Sequence, residues 1–136
     1  MKISTKGRYA VRILAEIAKN PNNLITVNEI ANNQNISIKY TEQIIRLLNK
    51  HNLLIGFRGI SGGYKLSKRP SEYSICEILS ATDDAPQIAP CLNHDCDRKH
   101  DCDTIGCWQT LNQIIYNYLS KITLQDILDK NYKNFK

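Results

Sequence analysis

Long apolar runs are missing from this sequence. No stretch of its 136 residues approaches the roughly 18 consecutive apolar residues that a membrane-crossing helix needs. The opening MKISTKGRYAVRIL is basic, but it has neither a long apolar run nor a small-residue cleavage site, so it does not read as a secretory signal. The expectation is a cytoplasmic protein with no membrane partner. Internal repeats and low-complexity tracts are absent too. There is no nucleophile elbow, P-loop, dinucleotide fingerprint or HExxH, which removes those enzyme classes.

Acidic residues are scarce in the first half. Residues 1–70 hold three Asp or Glu against twelve Lys or Arg, while residues 71–136 hold ten acids against six bases. The formal net charge of +5 therefore combines a strongly basic half with an acidic one. A basic half suits a polyanion, with nucleic acid first and a membrane surface second; ordinary solvated lysines are the bland alternative. Cysteine is nearly absent outside one stretch. The segment CLNHDCDRKHDCDTIGCW, residues 91–108, holds four of the five cysteines, two of the three histidines and the only tryptophan. A chain of this length buries a core without disulfides. In a reducing compartment, clustered thiols point to metal or redox chemistry.

What is present reads as one domain, or one domain with an appended segment. Residues 5–19 place Ala10, Val11, Leu14, Ile17 and Ala18 at helical spacing, with Asn20-Pro21-Asn22 as the stop. Thr26 and Glu29 form a capping box opening a short helix to about Asn33. Ser37 caps a second helix over roughly 38–50, buried through Ile44, Ile45, Leu47 and Leu48. Leu53–Arg58 and Tyr64–Leu66 are strand candidates joined by a loop that Gly59, Gly62 and Gly63 permit. Ser74 and Glu77 read as another capping box, for a helix to about Ala81. Residues 83–101 read as loop, 103–119 as a longer helix, and Thr123 opens a last short one.

Helix, turn, helix, glycine-tipped hairpin is the order of a winged helix-turn-helix. The second helix of such a pair fits the major groove, where the full base code is displayed. Ser37, Lys39, Tyr40, Thr41, Glu42, Gln43 and Arg46 are the candidate DNA contacts on that helix, and Arg58, Gly59, Ser61, Gly62, Gly63 and Tyr64 those on the wing. From Ser37 to Arg69 there are seven Lys or Arg and one acid, Glu42. Glu42 can accept a hydrogen bond from a cytosine amino group or pair with Arg46 one turn on. The other reading of this unit is a winged scaffold used for protein contacts.

In the longer helix, Trp108, Leu111, Ile115, Tyr118 and Ile122 alternate in steps of three and four, with Ile105 and Ile114 beside them. That is a coiled-coil period, and it suits a two-fold dimer placing two recognition helices on two half-sites. Packing against the protein's own first helix is the competing explanation.

The stretches KGRYAVRIL, YTEQIIRLLNKHNLL, RGISGGYKLSK and ITLQDIL, with a cysteine-bearing loop between the last two, resemble the IscR/NsrR/CymR family of bacterial regulators, often called the Rrf family. The likeness runs through essentially the whole chain, and the wing motif R-G-x-x-G-G-Y is its most specific part. It implies a mainly α fold: a winged helix-turn-helix over 1–82 with a two-stranded wing, a cysteine sensor loop over 83–102, and a long dimerisation helix with a short C-terminal helix over 103–136. It implies a homodimer, a repressor or activator, that binds a double-stranded DNA operator. It also implies a 2Fe–2S or 4Fe–4S cluster reporting iron–sulfur status, redox state or nitric oxide. The family's three loop cysteines fall on Cys91, Cys96 and Cys102, spaced C-x4-C-x5-C. The first gap is one residue shorter than is usual in IscR-type proteins. The histidine that IscR-type proteins carry three residues past the last cysteine is Ile105 here, and the N-terminal aspartate of NsrR-type proteins corresponds to Arg8.

The fourth ligand is therefore open. Cys107 is the leading candidate, with a buried seam residue as its alternative; His94 and His100 follow, and Cys76 reads as core. Thiolates suit iron–sulfur clusters and zinc alike, but structural zinc favours tighter cysteine pairs than these gaps. A cluster-free branch of the family governs cysteine metabolism, so metal-free thiol sensing is the second reading. A small iron–sulfur electron carrier is the third, and it leaves the basic half unexplained.

Overall fold

The computed structural model describes residues 2–133. Helix α1, Thr5–Ala18, starts at Ser4, whose hydroxyl accepts from the Gly7 amide at 3.0 Å, and it buries Ala10, Ile13, Leu14 and Ile17. Helix α2, Val27–Gln34, opens with the expected box: the Thr26 amide donates to the Glu29 carboxylate at 2.8 Å and the Glu29 amide to the Thr26 hydroxyl at 3.2 Å. It stops at Asn35, whose φ of 53° is left-handed, a conformation asparagine tolerates. Helix α3 is Ile38–Lys50, with Ser37 as its cap.

Strands β1, Leu54–Phe57, and β2, Gly63–Leu66, pair antiparallel with Leu54 opposite Leu66 and Phe57 opposite Gly63. Ile25 adds a bridge to Tyr64 on the far side, with amide-to-carbonyl bonds of 3.1 and 2.8 Å. The wing thus becomes part of the body rather than a free hairpin. Tyr73, fully buried, secures its exit: its hydroxyl donates to the Leu53 carbonyl at 2.7 Å and accepts from the Ser67 amide at 2.9 Å.

Helix α4, Ile75–Ala81, forms only half of its expected box. The Ser74 hydroxyl accepts from the Glu77 amide at 3.0 Å, but the Glu77 carboxylate takes the Lys68 ammonium at 2.8 Å instead of reaching back. An ion pair has outcompeted a local cap. Residues 83–104 contain two single 3₁₀ turns, Pro90–Leu92 and Lys99–Asp101. Helix α5, Ile105–Lys121, begins and ends two residues later than the sequence pattern suggests. Helix α6, Leu124–Asp129, opens with a Thr123–Asp126 capping box.

The chain closes on itself after α5. The Ile75 amide donates to the Ile122 carbonyl at 2.9 Å and the Leu124 amide to the Tyr73 carbonyl at 3.0 Å. One continuous apolar core runs from Ala10 through Tyr73 and Cys76 to Leu119, Ile122 and Leu124. The expected seam of α5 is therefore divided. Ile122, 2% exposed, belongs to the protein's own core, and Ile115 packs partly against it. Trp108, Leu111, Ile114 and Tyr118 stay outside. The last turn of α5 has turned inward because the bridge between Ser74 and Thr123 holds it there. Among the described residues, no helix is long and apolar enough to cross a membrane.

Candidate functional site

Helix α3 has two faces. Thr41, Ile44, Ile45 and Leu48 are buried, and Lys39, Glu42, Gln43, Arg46 and Lys50 are exposed. The exposed set recurs at three- and four-residue steps, so it forms a single stripe. None of Lys39, Glu42, Gln43 or Arg46 holds a hydrogen bond or ion pair within the described residues. In particular, the Glu42–Arg46 pair, open to either partner in the sequence, is not formed. These side chains are available to a ligand.

One expected contact serves the fold instead. Thr41 is completely buried and its hydroxyl donates to the Ser37 carbonyl at 2.9 Å, so it cannot reach a base. It lies on the inner side of α3 because its neighbours at that period are Ile44, Ile45 and Leu48. Tyr40 is half-buried, its ring edge-on to Tyr9 with centroids 5.9 Å apart. Ser37 stays exposed, with its hydroxyl accepting from the Tyr40 amide at 3.2 Å.

The wing tip is a tight turn. The Gly62 amide donates to the Gly59 carbonyl at 3.0 Å. Gly59 has φ of 102°, which favours glycine, and a Cβ on Gly62 would collide with the Phe57 carbonyl oxygen. Arg58, Gly59 and Ser61 are exposed; Gly63 and Tyr64 are half-buried where β2 bridges to Ile25. Between the end of α3 and the wing lies an open cleft of about 460 Å³, lined by Asn49, Leu54–Arg58 and Tyr64.

All five cysteines are unpaired. Cys76 is buried in the core, Cys91 and Cys102 are half-buried, and Cys96 and Cys107 are exposed. The Cys102 sulfur lies 3.4 Å from the Thr104 hydroxyl. That hydroxyl, the amides of Thr104 and Ile105, and the Arg98 charge hold its thiol below the usual range. Among the described residues, no three His, Cys, Asp or Glu side chains converge on a point that would hold a metal ion. The donor chemistry fits an iron–sulfur centre or a thiol sensor alike, because accessible sulfur is what both need.

The family model for Rrf2, iron-dependent transcriptional regulators, matches residues 3–130. The chain belongs to the Rrf2 family. It is similar to the HTH-type transcriptional regulator IscR of Photorhabdus laumondii, 31% identical over 131 residues and covering 95% of this chain and 80% of that one. Among solved structures it is similar to CymR, the global cysteine regulator of B. subtilis, with a TM-score of 0.79 at 27% identity over 96% of this chain and 98% of that one. It is also similar to IscR of T. potens, with a TM-score of 0.76 at 29% identity over 96% of this chain and 88% of that one. The fold is a winged helix-turn-helix, and the chain is a DNA-binding regulator of transcription, not an enzyme.

For an Rrf2 regulator, several residues matter that the sequence did not single out. Asn49 lies one turn beyond Arg46 and faces the wing; extending the α3 stripe by three residues would have found it. Glu16 is buried in α1, and its carboxylate accepts from Asn33 at 3.0 Å, Gln34 at 2.6 Å and Lys19 at 3.3 Å, joining α1 to the end of α2. Two of its partners, Asn33 and Gln34, are distant in sequence, so no local pattern reveals them. Asp84, at the start of the cysteine segment, accepts from both the amide and the hydroxyl of Ser4, the cap of α1. The Ile88 amide donates to the Asn112 side chain at 3.1 Å, joining the same segment to α5.

Proposed function

We propose that this Rrf2-family chain acts as a homodimeric repressor that senses iron–sulfur status, redox state or nitric oxide through an iron–sulfur cluster. In this reading 1–82 binds the operator, 83–102 senses and 103–136 dimerises. The observation that carries the DNA part is the unpartnered stripe Lys39–Glu42–Gln43–Arg46 beside a rigid wing. A helix of that kind fits the major groove, and Arg58 and the wing-tip backbone fit the adjoining backbone and minor groove. The exposed Trp108, Leu111, Ile114 and Tyr118 on α5 are the surface that a second copy covers. Such a regulator works beside the chromosome, in the reducing cytoplasm.

Cys91, Cys96 and Cys102 would hold the cluster, with Cys107 the leading candidate for the fourth ligand; a bound cluster would supply sensitivity to oxidants and nitric oxide. The contacts of this segment support a route to DNA. Asp84 holds the cap of α1, α1 packs on α3, and Tyr9 touches Tyr40. A rearrangement of 83–104 thus bears on the placement of the recognition helix, through a two-state dimer.

The likeness to CymR, a global cysteine regulator, and the Cys102 sulfur 3.4 Å from the Thr104 hydroxyl favour one second reading, thiol sensing without metal, since the thiolate is the reactive form. Anaerobic purification with iron and acid-labile sulfide counts separates the two. Stoichiometric iron and sulfide are expected. Neither, with reversible loss of DNA binding on oxidation, establishes thiol sensing; stoichiometric zinc without sulfide makes the site a structural metal.

A further inference from the structure

Ile60 is fully exposed, the most exposed large apolar side chain among the described residues. It is also in an unusual place. The Gly59–Gly62 hydrogen bond makes Ile60 and Ser61 the two central residues of a β-turn, at the very apex of the wing. Exposed turn apices are ordinarily polar or glycine. Here the apex carries a branched aliphatic chain and is flanked by Arg58 at the start of the turn and Lys65 on the returning strand. The turn is stiff, because Gly62 is pressed against the Phe57 carbonyl and Tyr64 is fixed to Ile25 on both its amide and its carbonyl. A stiff, cation-flanked support loses little freedom when its tip is buried.

We infer that Ile60 is an apolar wedge which enters the minor groove of the bound duplex and leans on a base step under the wing. This rests on the DNA reading above and adds to it a residue that reads deformability. The minor groove presents few hydrogen-bonding differences but accepts aliphatic side chains, which unstack a step and bend the duplex. Pyrimidine–purine steps yield most easily, so such a wedge selects them without any base hydrogen bond. The guanine amino group on the floor of a G·C pair obstructs the approach. Ile60 therefore favours A·T pairs at the wing position, independently of what α3 reads.

The test uses full-length protein and a duplex enriched from genomic fragments by that protein. Wild type, Ile60→Ser and Arg58→Ala are compared in affinity, salt slope and bend angle. Each is also measured on duplexes carrying a TA step or a G·C pair under the wing. Ile60→Ser is expected to lower affinity about tenfold, to reduce the bend and to abolish the preference for the TA step, with the salt slope unchanged. Arg58→Ala is expected to lower the salt slope and keep the step preference. Ile60 is fully exposed, so an unchanged thermal midpoint verifies that the variant is folded. If Ile60→Ser binds and bends the duplex as wild type does, the wedge is overturned while the DNA reading stands. A change in self-association without DNA, with binding unaltered, makes the apex a protein contact and also overturns the wedge. If wild type enriches no duplex, the underlying DNA reading fails first.

Discussion

Thr41 and Arg46 lie on the same helix and do opposite jobs. Arg46 is exposed and unpartnered, so Arg46→Ala should leave the folding stability within about 0.5 kcal/mol of wild type and lower operator affinity at least about tenfold. Urea unfolding checks the first, and titration of a labelled operator at fixed salt the second. Thr41→Val removes the bond to the Ser37 carbonyl; it should lower stability by about 1 kcal/mol and leave the affinity of the folded protein unchanged. Glu16 gives a pH-dependent counterpart. Burial pushes its carboxyl up, but hydrogen bonds from Gln34, Asn33 and Lys19 outweigh that, so it titrates below its ordinary value. A depressed folded-state value means that the charged form contributes stability above the unfolded carboxyl range, and that this is lost as pH falls through the folded value. Glu16→Gln should therefore be less stable than wild type at neutral pH, by about 1 kcal/mol. The gap should close below about pH 4, as followed by urea unfolding across pH.

At the scale of elements, α5 is the least satisfied part of the molecule. Trp108, Leu111, Ile114, Tyr116 and Tyr118 are all at least 40% exposed, whereas Leu119 and Ile122 are buried. A large apolar face on a regulator that reads DNA fits self-association. Leu111→Lys places a charge on that face. It should shift the protein to monomer in sedimentation, with a loss on the order of several kcal/mol of association energy. Intramolecular packing should survive, because Leu111 lies outside the core cluster. A variant that remains dimeric with full operator affinity would place the interface elsewhere.

At the scale of the whole molecule, the sulfur-bearing segment is tied to the helices around the α3 stripe. The bonds from Asp84 to Ser4 and from Ile88 to Asn112 fix this segment at its beginning to both α1 and α5, while Cys96 and its neighbours remain exposed. Single changes of Cys91, Cys96 or Cys102 to Ala should remove iron and colour from anaerobic protein. Cys107→Ala should do so only if Cys107 is the fourth ligand and should leave iron in place if it is a seam residue, and Cys76→Ala should leave iron unchanged while lowering stability, since Cys76 is core. Iron and sulfide analysis with an absorption spectrum reads each outcome. Affinity should also fall steeply with salt, as expected of a basic half that displaces counterions from phosphate.

Much of the local structure is legible in the sequence itself. Local signals set the helices and the hairpin: Thr26 with Glu29 starts α2, Ser37 starts α3, and Gly59 with Gly62 turns the wing. Periodicity and one-signed charge placed the α3 stripe, because both are properties of short sequence windows. Other features required the tertiary structure. Glu77 left its cap for Lys68, Thr41 turned inward and Ile122 left the seam for the core. Glu16 and Asp84 found partners far along the chain. In each case a side chain had two acceptable local environments, and the choice fell to residues brought near only when the chain folded.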